Sequence, residues 1–162
     1  MTSTLRFLQV FALGTWVGSI FYFSAAVAPG AFRVLSSQDQ AGLLVEFTLR
    51  RLHTLGVVAG LLFLFASALT ALSSMDAGKR LMLPVIGVAI MLTLTMVSQH
   101  VVIRRMNELR RQMVSVMSTP KDSPLRVEFD RLHGVSVRLE GSTLLIGLVS
   151  LFLTVRSSPI TR

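Results

Sequence analysis

The sequence predicts an all-α integral membrane protein, a four-transmembrane-helix bundle with helices 3 and 4 extended beyond the membrane. Three observations lead there. Of 162 residues 52% are hydrophobic, and a mean hydropathy of +0.67 is too apolar for an ordinary water-soluble domain. Four runs free or nearly free of charge approach or exceed the length needed to cross a hydrocarbon layer of about 30 Å. The basic residues behind the net charge of +8 crowd between those runs. In a soluble chain that charge would suggest nucleic acid; between apolar helices, orientation in the bilayer accounts for it. The expected partner is therefore the lipid bilayer, with no nucleic acid, and the length argues for one domain over residues 1–162. The chain has no cysteine, which removes disulfides, thiolate metal sites and cysteine nucleophiles together.

The first helix is expected over about 6–32. Phe7 to Phe32 carries no charge over 26 residues, longer than a signal-peptide core, and Ala28-Pro29-Gly30 makes a poor cleavage site. Inside it Gly14 and Gly18 form a G-x-x-x-G, which lets another helix approach closely, within one bundle or in a homo-oligomer. The polar interval that follows predicts a short interfacial helix over about 37–49, capped near Ser37. The second crossing is expected over 51–75, with His53, Gly56, Gly60, Phe63 and Ser67 on one inward face. Asp76-Ala77-Gly78-Lys79-Arg80 reads as a tight link to an antiparallel third helix over 81–117, where Thr93, Met96, His100, Arg104 and Asn107 share a face. Ser118 to Pro124 reads as the turn, with Ser123 as cap and Pro124 at the first position of a fourth helix over 124–156. Along that helix His133, Ser136, Glu140, Thr143, Gly147, Ser150 and Thr154 form one polar or small-residue stripe.

The start of the fourth helix carries the chemistry. Gly141 to Val155 is uncharged for only 15 residues, about 22 Å of the required 30. Glu140 and Arg138 therefore enter the membrane, where an ionisable side chain costs a few kcal/mol unless it is paired, snorkels or lines a wet cavity. Either the two pair, or Arg138 snorkels outward while Glu140 bonds a neighbouring helix. Alternating crossings bring His53, His100 and His133 to the same membrane face. Imidazole is a common metal and haem ligand, and facing helices of a bundle are where such sites are built, so His53, His100, His133 and Glu140 are candidate metal ligands. Histidines satisfied by interfacial hydrogen bonds are the plainer alternative. That face holds eleven Lys and Arg, the other five, Arg162 among them. The positive-inside rule then places the histidine face in the cytoplasm and both termini outside, in a bacterial-type inner membrane.

Short motifs in order along the chain carry a resemblance. Trp16-Val17-Gly18 with Phe21, Val27-Ala28-Pro29-Gly30-Ala31-Phe32, Ala41-Gly42, Asn107 with its basic neighbours, Phe129 and Leu132-His133-Gly134-Val135-Ser136 resemble the transmembrane protein 205-like family, whose bacterial branch is a domain of unknown function. The resemblance implies a four-helix membrane protein in which Trp16, Pro29, Asn107, His133 and Ser136 are family positions; it implies no chemistry. A looser similarity is to haem-containing four-helix protoporphyrinogen oxidases, which place a histidine early in the first helix, where this chain has Gln9, Val10 and Phe11. The copper-resistance D-like membrane proteins are a weaker comparison still.

The residues thus point first to a non-enzymatic protein that binds or moves a small cationic species such as a metal ion. A haem or metal redox enzyme and a membrane scaffold subunit are the alternatives. With the nearest histidines 33 residues apart, no zinc-protease pair is present, and no catalytic triad or phosphate-binding loop is recognisable.

Overall fold

The computed structural model describes residues 2–157. Arg162, counted above with one membrane face, lies outside the described residues. The first helix, α1, covers 2–34: an α-helix over Thr2–Tyr22, one π turn over Phe23–Val27, and α-helix again over Ala28–Val34. The π turn answers Pro29. Proline lacks the N–H for the helical ladder and its ring crowds the carbonyl four residues back. The wider turn just ahead of it, closed by Ala28 N–H on the Phe23 carbonyl, leaves room for the ring, so Pro29-Gly30 does not stop the helix.

The second helix, α2, runs unbroken over Gln38–Ser73, with Ser37 extended and its hydroxyl accepting from the Gln40 N–H at 3.4 Å. This corrects the expected division into an interfacial helix over 37–49 and a crossing from 51. The change from polar to apolar at Arg51 changes the surroundings, not the backbone. No proline interrupts the stretch, and the Glu46–Arg50 pair, one turn apart at 2.9 Å, spans the supposed junction.

Only Ser74, extended at φ −161° and ψ 119°, separates α2 from the third helix, α3. The expected link 76–80 is therefore helical: α3 covers 75–112, as Met75–Val97, a π turn over Ser98–Val102, and Ile103–Gln112. It also stops short of 117, because Met113 turns extended and Asp39 of α2 captures the following loop through the Ser115 hydroxyl and the Val116 N–H. The fourth helix, α4, spans Pro124–Arg156. Ser123 holds the N-cap position, but its hydroxyl makes no capping bond.

The helices pack in a ring, α1 on α2, α2 on α3, α3 on α4 and α4 on α1. Leu13, Trp16, Ile20, Phe63, Val88 and Met91 fill the centre, each at most 1% exposed. Phe7, Phe21, Phe65, Leu72 and Phe152 face outward and are more than 60% exposed, the distribution expected when the solvent is hydrocarbon. All four helices are long and apolar enough to cross a membrane. A smaller cluster of Leu109, Met113, Val116 and Phe129 packs where α3 and α4 meet beyond the apolar runs.

Trp16 packs closely on α2. A methyl at Gly56 would overlap the indole, and one at Gly60 would lie 3.0 Å from it and 2.8 Å from Leu92. At Gly14 and Gly18, by contrast, an added methyl finds nothing within 4 Å among the described residues. Gly56→Ala is therefore expected to cost about 1–3 kcal/mol by overpacking, while Gly18→Ala stays close to neutral. Unfolding midpoints in mild detergent check the contrast.

Candidate functional site

Three helices meet at His53. On α2 it follows the same face as Gly56, Gly60, Phe63 and Ser67, and all five are buried. Its Nε2 lies 2.5 Å from Glu140 Oε1 of α4 and its Nδ1 lies 2.8 Å from Gln99 Oε1 of α3. The His53 and Glu140 side chains are 4% and 12% exposed. Two oxygens at both ring nitrogens call for two N–H donors, an imidazolium beside a carboxylate. Turning the Gln99 amide over offers an N–H in place of the oxygen and suits the neutral ring instead. The two orientations of the amide thus suit two states of the set that differ by one proton, with no helix moved.

The neighbouring candidates do not join it. His100 and His133 are both exposed, and among the described residues no group of three or more His, Cys, Asp or Glu side chains is placed to hold a metal ion. The expected four-ligand cluster of His53, His100, His133 and Glu140 is reduced to one pair, for two geometric reasons. The π turn inserts one residue into α3, which turns everything after it by about 100°. Asn107 thereby leaves the face of His100. Gln99 reaches His53 because it follows the buried Thr95 by one turn, whereas Thr93, Met96 and His100 share a face that is exposed already ahead of the π turn. On α4 the buried line at the head of the helix runs through Phe129 and Ser136, continuing to Thr143, Gly147, Ser150 and Thr154, and His133 lies to the side of it and is exposed. Arg138 does not pair with Glu140; it turns back to the Gly134 carbonyl at 3.1 Å on the exposed side.

Two further polar groups flank the pair along the bundle. Towards the chain termini, buried Gln9 of α1 donates to Ser67 Oγ at 3.2 Å and Thr70 Oγ1 at 3.3 Å on α2, and Arg6 donates to the last carbonyls of α4, Thr154 and Val155. Towards the basic end, Glu46 accepts from Asn107 Nδ2 at 2.7 Å, from Arg50 and from Arg110, whose guanidinium also lies 5.5 Å over the Phe129 ring. The bundle also buries hydroxyls on three helices: Ser67 on α2, Thr95 and Ser98 on α3, and Ser136, Thr143, Ser150 and Thr154 on α4. Ser98 Oγ is fully buried and has no hydrogen-bond partner among the described residues. It sits in the first turn of the π segment, one residue from Gln99.

A family profile described as "Domain of unknown function (DUF4149)" matches residues 11–115. The chain belongs to the DUF4149 family. No curated protein and no solved structure matches it. The DUF4149 match takes in Trp16, Pro29, His53, Gln99 and Asn107 and ends before α4, so Glu140, His133 and Ser136 lie outside it. In this DUF4149 chain the histidine and its amide partner come from the matched part, and the carboxylate that completes the set comes from beyond it.

Sequence reasoning singled out His53 and Glu140 but missed Gln99, Gln9 and Glu46. Gln9 and Gln99 carried a usable signal, a large uncharged polar side chain inside an apolar run, which in hydrocarbon needs a partner. Glu46 had a weaker one, a lone carboxylate among basic residues.

Proposed function

We propose that the protein binds and exchanges a small cation within the membrane, and that the cation is the proton. One observation supports this reading above the others: a buried imidazole and carboxylate in direct contact, with a rotatable amide on the second ring nitrogen. Such a pair takes up or releases a proton at one locus, and intramembrane Asp, Glu and His recur in proton relays. Buried hydroxyls continue along α4 from Glu140 towards the Gln9 end and support passage over mere storage; those of Thr143 and Thr154 donate to their own helix, at the Leu139 and Ser150 carbonyls, and offer a passing proton carrier an acceptor. Four helices enclose little room, which suits a proton better than a larger solute. By the positive-inside rule the Glu46 end, with eleven basic residues against five, faces the cytoplasm of a bacterial-type inner membrane and both termini face outward. The resemblance to transmembrane protein 205-like proteins fits the architecture and adds nothing to the chemistry.

The test is proton flux. The full chain is reconstituted in vesicles that enclose a pH-sensitive dye, and a potassium gradient with valinomycin drives proton entry. Acidification faster than in empty vesicles is expected for the native chain, falling about tenfold or more in His53→Gln and Glu140→Gln and staying near native in His133→Gln. Native vesicles no faster than empty ones would refute movement of protons. Elemental analysis and an absorption spectrum on the same preparation decide against the metal and haem alternatives: a stoichiometric metal or a Soret band that is lost in His53→Ala would put a ligand site in place of a proton site.

A further inference from the structure

Outside the His53 set, the lipid-facing surface carries one feature that apolar solvation alone does not explain. A groove of about 400 Å³ runs between α1 and α2. Buried Ala12 and Ala59 form its floor, exposed Phe11, Leu55 and Val58 its walls, and Arg51 stands at one end. From Arg51 to Leu62, its deepest residue on α2, the groove follows the helix for about 16 Å. That is close to the depth of one leaflet, half of the roughly 30 Å hydrocarbon layer. Arg51 is the last charged residue before the 24 uncharged residues from Leu52 to Met75, which puts its guanidinium at headgroup level.

The charge at that point is uncompensated. The ion pairs of this end engage Arg50 with Glu46, Arg110 with Glu46, Arg105 with Glu108 and Glu128, and Arg126 with Asp130. Arg51 has no carboxylate within ion-pair distance among the described residues and rests only over the Phe47 ring, 5.3 Å from its centre. A planar fork held against an aromatic face, with its donors free, matches the oxygens of a phosphate. We infer that the α1–α2 groove seats one acyl chain of an anionic phospholipid whose phosphate pairs with Arg51. The charge selects the headgroup, and the apolar lining of about one leaflet's depth below it matches an acyl chain. This site is independent of the proton reading, because the hydrogen-bond partners of the His53 side chain, Gln99 and Glu140, do not line the groove.

The experiment is native mass spectrometry of the full chain released from detergent with equal amounts of phosphatidylglycerol and phosphatidylcholine of identical chains. One phosphatidylglycerol retained per chain is expected, in preference to phosphatidylcholine. Arg51→Gln should remove about fivefold of that preference, the weight of one interfacial arginine. Arg104→Gln, at another exposed arginine, should leave it intact. Thr15→Phe and Val58→Trp, both on exposed groove positions where folding is not at stake, should displace the lipid with either headgroup. Equal retention of the two lipids would overturn the inference. So would an Arg104→Gln loss as large as that of Arg51→Gln, a lipid undisturbed by both filling variants, or a dimer that excludes lipid from the groove.

Discussion

Glu140→Ala is expected to lower the stability of the bundle by about 3–5 kcal/mol, because it leaves His53 buried beside an empty pocket with one ring nitrogen unpartnered. Hydrogen bonds between membrane helices by themselves contribute less, about 0.6 to 2 kcal/mol. The excess reports the charge left without its counterpart. Glu140→Gln, which keeps a hydrogen-bond partner of the same shape and removes the charge, is therefore expected to fall in the lower range. Replacing both partners by apolar residues, His53→Phe with Glu140→Leu, should recover most of the loss, as buried ion pairs replaced by well-packed hydrophobic groups commonly do. Reversible unfolding in mixed micelles measures all three. A cost below about 1 kcal/mol for Glu140→Ala would mean that water reaches the pair and that it holds no buried charge.

The second large effect is expected at Trp16. Trp16→Ala removes the biggest fully buried side chain of the core, and a loss of about 3–5 kcal/mol is expected from transfer and cavity terms together. The indole sits where α2 has only the hydrogens of Gly56 and Gly60. Refilling from the other side gives a sharper test. Gly56→Leu should destabilise the native chain but stabilise Trp16→Ala, a reversal of sign that only direct contact between positions 16 and 56 produces. Independent effects that add would show that the indole packs elsewhere.

Four crossings and their antiparallel order were legible because a membrane imposes one criterion, a run of apolar residues of sufficient length, and four stretches meet it. The interior stripe of α4 was legible too, since Ser136, Thr143, Ser150 and Thr154 recur at helical spacing and are buried. What was not legible is where a helix departs from the regular period. A run of residues shows no sign of a π turn, and the one over Ser98–Val102 carried Asn107 off the face of His100. The continuity of α2 was hidden for a related reason: hydropathy reports the medium around a segment, and the medium changes at Arg51 while the hydrogen-bond ladder continues. The role of Gly14 and Gly18 was open from the motif, because close approach needs a partner surface, and among the described residues an added methyl at either finds none within 4 Å.

The length of α2 has a mechanical consequence. Residues 38–51 form a rigid arm of about 21 Å beyond the apolar run. A tilt of about 10° inside the bilayer, well within what helices adopt to match hydrocarbon thickness, swings the tip of such an arm by about 4 Å. Glu46 clamps that arm to Asn107 and Arg110, and Asp39 clamps it to the loop after α3, so the two projections move as one. A tilt of α2 would therefore carry the end of α3 sideways with the arm, with His53 close to the base of the lever.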